Sequence, residues 1–181
     1  MTGLSSTGGW LLNKCYDATG APCMDGDYFP LFHAKVISMC GRLVDLLPQP
    51  GGAKTLRTAN LSAHEFAGRF VSVSVAKHGI RTIVIGTHLQ CAAYEKFGLS
   101  LSEEEALQRQ HIERAVRFLN DYVPMGIQHY LKEEKLPEHE VQNLETVLES
   151  GIIIQALLIK PYDMSRRIKE PSEECFVEQV L

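Results

Sequence analysis

The segment His88-Leu89-Gln90-Cys91 offers an imidazole and a thiol three positions apart. On a turn, those two groups can converge on one divalent ion. Adding Cys40 gives a sulfur, nitrogen and sulfur set, which suits zinc at about 2.0–2.3 Å. Three protein ligands leave one coordination position open, the arrangement of catalytic zinc, and a fourth ligand closes it. The competing reading makes Cys40 and Cys91 buried apolar thiols and His88 a hydrogen-bonded loop residue. Cys15 and Cys175 lie in weak contexts. Five cysteines, odd in number and widely spread, do not form the pattern of a disulfide framework. The run Cys23-Met24-Asp25-Gly26-Asp27 follows no apolar strand and reads as a loop with solvated aspartates. His33, His64, His111, His129 and His139 are expected at the surface, and Tyr94 and Phe97 as packing beside the site.

The elements that must position these groups follow from periodicity and punctuation. Residues 35–40 form a β-rich run ended by Gly41, which predicts a buried strand delivering Cys40. Pro48-Gln49-Pro50-Gly51-Gly52 is a turn cluster, and residues 53–58 read as a second short strand. Ser62 with Glu65 suggests a capping box. The helix it opens carries Phe66, Phe70, Val73 and Ala76 on one stripe and ends at Gly79. Residues 81–86 are apolar enough for a central strand, with His88 and Cys91 just beyond its end. Ser102 and Glu103–Glu105 start a long helix, with Leu107, Ile112, Ala115, Val116 and Leu119 inward and Pro124 at its end. Helices near 127–134 and 138–149 follow, then a strand at 151–159 and an edge hairpin over 161–168.

This alternation predicts an α/β domain with a mainly parallel sheet of four to five strands flanked by helices. In such sheets, ligands bind beyond the carboxyl ends of the strands. The expected organisation is an irregular N-terminal arm (1–34), one α/β domain (35–168) and a C-terminal tail (169–181) suited to docking.

At 181 residues, 45% hydrophobic and 22% charged, the chain has ordinary globular proportions. Such a chain needs no disulfide or metal merely to fold. A net charge of −4 with interspersed signs argues against a nucleic-acid binder. No apolar run approaches the roughly 20 residues of a membrane span, and no secretory signal pattern opens the chain. A cytoplasmic protein is the expectation, or an organellar one if a targeting segment has been removed.

In motif order, residues 36–91 resemble the β-class carbonic anhydrases. That family has a strand ending in Cys-x-Asp-x-Arg, a Pro-Gly-Asp turn, an Arg-Asn-Ala-Gly strand end, a helix, a strand, and Gly-His-x-x-Cys-Gly. Here stand Ser38-Met39-Cys40-Gly41-Arg42, Pro50-Gly51-Gly52-Ala53, Arg57-Thr58-Ala59-Asn60 and Gly86-Thr87-His88-Leu89-Gln90-Cys91-Ala92. The resemblance covers about 130 residues and lies in the order of degraded motifs. It implies a zinc ion on Cys40, His88 and Cys91, and hydration of carbon dioxide to bicarbonate by zinc-bound hydroxide. It also implies a homodimer or higher even oligomer. Carbonyl sulfide and carbon disulfide are the sulfur analogues it admits. With Arg42 as the family's dyad arginine, Ser38 replaces the first cysteine ligand and Cys40 the aspartate. Arg42 then remains as the catalytic member of a broken dyad. That loss supports an alternative, a catalytically inactive homologue serving as a structural or partner-binding subunit. Thr87-His88-Leu89 also resembles a strand end of metal-dependent endonuclease/phosphatase domains, but their Gly-Asp-x-Asn motif is absent.

Overall fold

The computed structural model describes residues 18–41, 44–165 and 168–181. Arg42, the expected catalytic arginine, and Cys15 lie outside the described residues.

Five strands form one sheet among the described residues, in the order β2-β1-β3-β4-β5. They are β1 (Ala18–Ala21), β2 (Val44–Leu46), β3 (Thr82–His88), β4 (Ile153–Pro161) and β5 (Cys175–Gln179). The first four run parallel, and β5 pairs antiparallel with β4. A predominantly parallel sheet needs cover on both faces. On one face lies α1 (Phe29–Cys40), whose Phe32 and Val36 pack on Val84, Leu157 and Ile159.

The other face is covered by a larger set of helices. After α2 (Ala53–Leu56) come α3 (Leu61–Arg69), a π-helical turn (Phe70–Val75) and α4 (Ala76–His78). The short α5 (Ala92–Glu95) leads to α6 (Leu101–Glu133) and α7 (Glu138–Ser150). Phe66, Phe70, Ile112, Leu119, Val123 and Leu144 fill the space between these helices and Ile83 and Ile85 of the sheet. The last helix, α8 (Pro171–Glu174), precedes β5.

Several local expectations are corrected. Residues 35–40 are helix, not strand. Pro30 sits in the first turn of α1, and Gly41, in the left-handed region at φ 82°, closes it with its N–H on the Ile37 carbonyl at 2.7 Å. Only every fourth residue, Phe32 and Val36, is buried, while the β-branched Ile37 faces solvent. A six-residue apolar run is too short to distinguish these periods. Residues 53–58 likewise begin with helix α2 rather than a strand. The cap of α3 is Asn60, whose side chain accepts from the Ala63 N–H, and the capping box of α6 is Ser100 with Glu103. The π turn shifts the helical phase, so Val71 and Val75 turn inward and Val73 outward. Helix α6 continues through Pro124, because Ala115, Leu119, Val123 and Ile127 keep one buried stripe on both sides of it.

The expected arm and tail both enter the sheet. The arm supplies β1, and α1 begins inside its expected bounds. The tail supplies the edge strand β5, so the partner of β4 is 175–179 rather than a hairpin over 161–168. Arg109 of α6 and Lys160 of β4 each bridge Glu105 and Glu178, which joins α6, β4 and β5. Among the described residues no helix is long and apolar enough to cross a membrane.

His111, expected at the surface, is buried on α6 with its Nδ1 2.7 Å from the Tyr94 hydroxyl. Burial, with nearby Arg57, Arg114 and Lys54, lowers its pKa from 6.5 to about 4. Between those values the unfolded chain holds a proton there that the folded chain lacks. Stability therefore falls as pH drops from about 6.5 to about 4, by at most about 3 kcal/mol for this group. Urea unfolding at pH 7 and pH 4.5 should show a smaller acid loss in His111→Gln than in the parent. Equal losses would refute the assignment.

Candidate metal centre

Strands β1 and β3 are parallel neighbours, with Ala21 opposite Ile85. Their carboxyl ends therefore open onto the same edge of the sheet. Two residues past β1 stands Cys23. Its N–H donates to the Gly86 carbonyl at 3.0 Å, and the next N–H, of Met24, donates to the Gln49 carbonyl at 3.1 Å. Cys23 is thus held between the end of β3 and the turn after β2. His88 is the last residue of β3, and Cys91 precedes α5 as its N-cap.

These placements bring Cys23, His88 and Cys91 together, all buried, with one candidate ligand atom from each lying within 4.8 Å of the others. The two sulfurs are 3.6 Å apart. Two thiolates on tetrahedral zinc at about 2.3 Å would stand roughly 3.8 Å apart, so this spacing fits the ion. His88 Nδ1 donates to the Leu89 carbonyl at 3.0 Å. That bond turns the lone pair of Nε2 toward the sulfurs. His88 Nε2 is buried and has no hydrogen-bond partner among the described residues, which is costly unless something coordinates it. The Tyr28 ring stacks on the imidazole at 3.7 Å between centroids and limits its rotation.

Asp25 Oδ2 lies 3.7 Å from His88 Nε2, on the side of the site that opens to a cavity of about 660 Å³. Asp27, Tyr28, Cys91 and Glu104 also line that cavity. The two facing thiols share one hydrogen bond. It stabilises the Cys23 thiolate and holds the Cys23 pKa below the ordinary thiol value, while the same pairing and burial push Cys91 up. The donor set, two thiols and one oriented imidazole, is the chemistry of a zinc or similarly soft site.

Of the three ligands expected from sequence, the structure brings His88 and Cys91 together and leaves Cys40 apart. Cys40 ends α1, whose first turn adjoins the Tyr28–His88 stack, and eleven helical residues carry it about 16 Å along the axis. The third group is Cys23, from the segment whose sequence reads as an incidental loop. The letters Cys-x-Asp are the one signal the sequence offers for it. The segment before them points the other way, because Ala18-Thr19-Gly20-Ala21 does not look like an apolar strand. Its residues are small because it runs between two strands and beneath Phe32, where a Cβ on Gly20 would lie 3.0 Å from the ring.

A protein-family model described as "Putative carbonic anhydrase" matches residues 16–145. No curated protein matches the chain.

Proposed function

The chain belongs to the putative carbonic anhydrase family, and on that premise we propose that it hydrates carbon dioxide to bicarbonate at a zinc ion held by Cys23, His88 and Cys91. The observation that carries this reading is the convergence of the buried His88 imidazole, whose Nε2 has no hydrogen-bond partner among the described residues, with two buried thiols beside a cavity that Asp25 and Cys91 line. Zinc in such a site would lower the pKa of a water towards about 7 and supply hydroxide at neutral pH.

The protein's own groups would do the rest. Leu89 fixes the imidazole tautomer through its carbonyl, and Tyr28 fixes the ring plane. Asp25 places a carboxylate beside the ligand set, where it can accept the proton of the reacting water or close the fourth coordination position. In the family motif Cys-x-Asp-x-Arg, Cys23 and Asp25 fall on the cysteine and the aspartate, and Asp27 falls on the arginine. No guanidinium from that motif then restrains Asp25. This substitution favours a second reading, in which zinc is bound without turnover and the protein serves a structural or partner-binding role.

Stopped-flow carbon dioxide hydration on the zinc-loaded protein separates the two. Turnover that disappears in His88→Ala supports the first reading. One zinc per chain with no turnover of carbon dioxide, carbonyl sulfide or carbon disulfide supports the second. Failure of the parent protein to bind zinc refutes both.

A further inference from the structure

Helix α6 places two polar side chains where an apolar helix face would pack the sheet more cheaply. Gln108 is fully buried and Glu104 is 6% exposed. Burying a carboxylate and an amide costs free energy unless every polar atom finds a partner. Their partners are almost all in the segment Thr87–Cys91. The Glu104 carboxylate accepts from the Gln90 N–H at 3.1 Å and from the Cys91 N–H at 3.2 Å. Gln108 Nε2 donates to the His88 carbonyl at 2.7 Å and to Glu104 Oε1 at 2.7 Å. The amide is held in that orientation by the Thr87 hydroxyl, which donates to Gln108 Oε1 at 2.6 Å.

The segment so gripped is strained. Gln90 has φ 59°, the one left-handed non-glycine conformation among the described residues. That conformation lets the chain reverse between the end of β3 and α5, and it costs about 1 kcal/mol or more for a residue with a Cβ. Two adjacent N–H groups converging on one carboxylate offset the strain and set the direction in which Cys91 leaves the turn.

We infer that Glu104 and Gln108 are positioning residues for the metal centre, clamping the backbone of residues 87–91 so that His88 Nε2 and Cys91 Sγ converge on the point that Cys23 Sγ faces. The inference rests on the zinc reading above and adds its supporting layer, which contributes no ligand atom. Loss of such outer groups typically weakens metal binding by 10–100-fold.

The test uses the full chain with zinc and with cobalt(II) as a spectroscopic probe. Glu104→Gln replaces one acceptor oxygen with a donor facing a backbone N–H. Gln108→Leu leaves the His88 carbonyl and Glu104 Oε1 each one partner short. Thr87→Val preserves strand shape and releases only the amide, so it tests the clamp even if the larger changes prevent folding. Glu105→Gln is the control, a neighbour on α6 whose partners are Arg109 and Lys160. The expected result is about 10–100-fold weaker zinc binding in Glu104→Gln and Gln108→Leu, by competition with a chromophoric chelator. Thr87→Val should give a smaller loss of the same sign, and all three should shift the cobalt absorption bands. Glu105→Gln should lower the melting temperature of apo and loaded protein alike, with zinc affinity unchanged. Parent-like zinc affinity and cobalt spectra in the folded clamp variants would overturn the inference while leaving the proposed function standing. A parent protein that binds no zinc would overturn both.

Discussion

Cys23→Ser should abolish stoichiometric zinc binding, while Cys40→Ser should leave it intact. Cys23 supplies one of three converging candidate ligand atoms, and its sulfur lies 3.6 Å from that of Cys91. Serine keeps the size but is a hydroxyl that stays protonated, so the ion loses a thiolate ligand and its charge. The affinity should fall by at least about 100-fold, more than the loss of an outer positioning group. Zinc held at the proposed site would bind only the folded chain, so its loss would also be visible as stability. At a zinc concentration about 1,000 times the parent dissociation constant, the ion adds about 4 kcal/mol, and a chelator should remove it. In Cys23→Ser the melting temperature should become nearly insensitive to zinc. Cys40 is partly buried against the α1 side of the sheet, and its replacement should cost a fraction of a core residue with no change in the zinc response. The opposite outcome, zinc lost in Cys40→Ser and kept in Cys23→Ser, would refute the centre described above. Thermal melts with and without zinc, with metal counted by elemental analysis, decide it.

Gly52→Ala should be the most damaging single-methyl substitution. Gly52 has φ 53°, and a Cβ there would lie 2.1 Å from the Gly86 carbonyl oxygen. That oxygen is backbone in the middle of the sheet and accepts the Cys23 N–H. It cannot move without dragging the Cys23 end of the site. The positive-φ backbone, with ψ −116°, costs any residue with a Cβ on the order of 1 kcal/mol or more, and the clash adds to that because two backbones must separate. A total loss of about 3 kcal/mol or more is expected, together with weakened zinc binding. Gly68 on α3 is the contrasting site, since a Cβ there would meet nothing within 4 Å. Gly68→Ala should stabilise by roughly 0.5–1 kcal/mol through helix propensity. Urea midpoints for the two variants should move in opposite directions, and a tolerated Gly52→Ala would contradict the close approach of these two backbones.

His88 and Cys91 could be read from one short stretch because their convergence is a local property. A strand end and a tight turn place residues three apart on the same ion whatever the rest of the chain does. The layered α/β class was legible for a similar reason, since the apolar runs at 81–86 and 151–159 and the long stripe of α6 leave few other packings. Cys23 was not legible. Its partner residues lie 65 and 68 positions away, and its strand is made of small residues chosen by close packing rather than by apolar content. Phe32 and Val36 likewise look like part of a strand-forming region until a sheet face is present to show which of them it buries. Glu104 and Gln108 carried no signal at all, because in sequence they are ordinary polar residues on an amphipathic helix.

The amino-acid order alone determined the family likeness, the class of fold, and the imidazole–thiol pair at the end of a central strand. Only the tertiary structure showed which cysteine stands beside that pair and which helix grips the loop between its members. The physical reason is that periodicity and capping act over a few residues. The meeting of β1 with β3, and of α6 with the turn at Gln90, is set by parallel pairing and by burial, which no local pattern encodes.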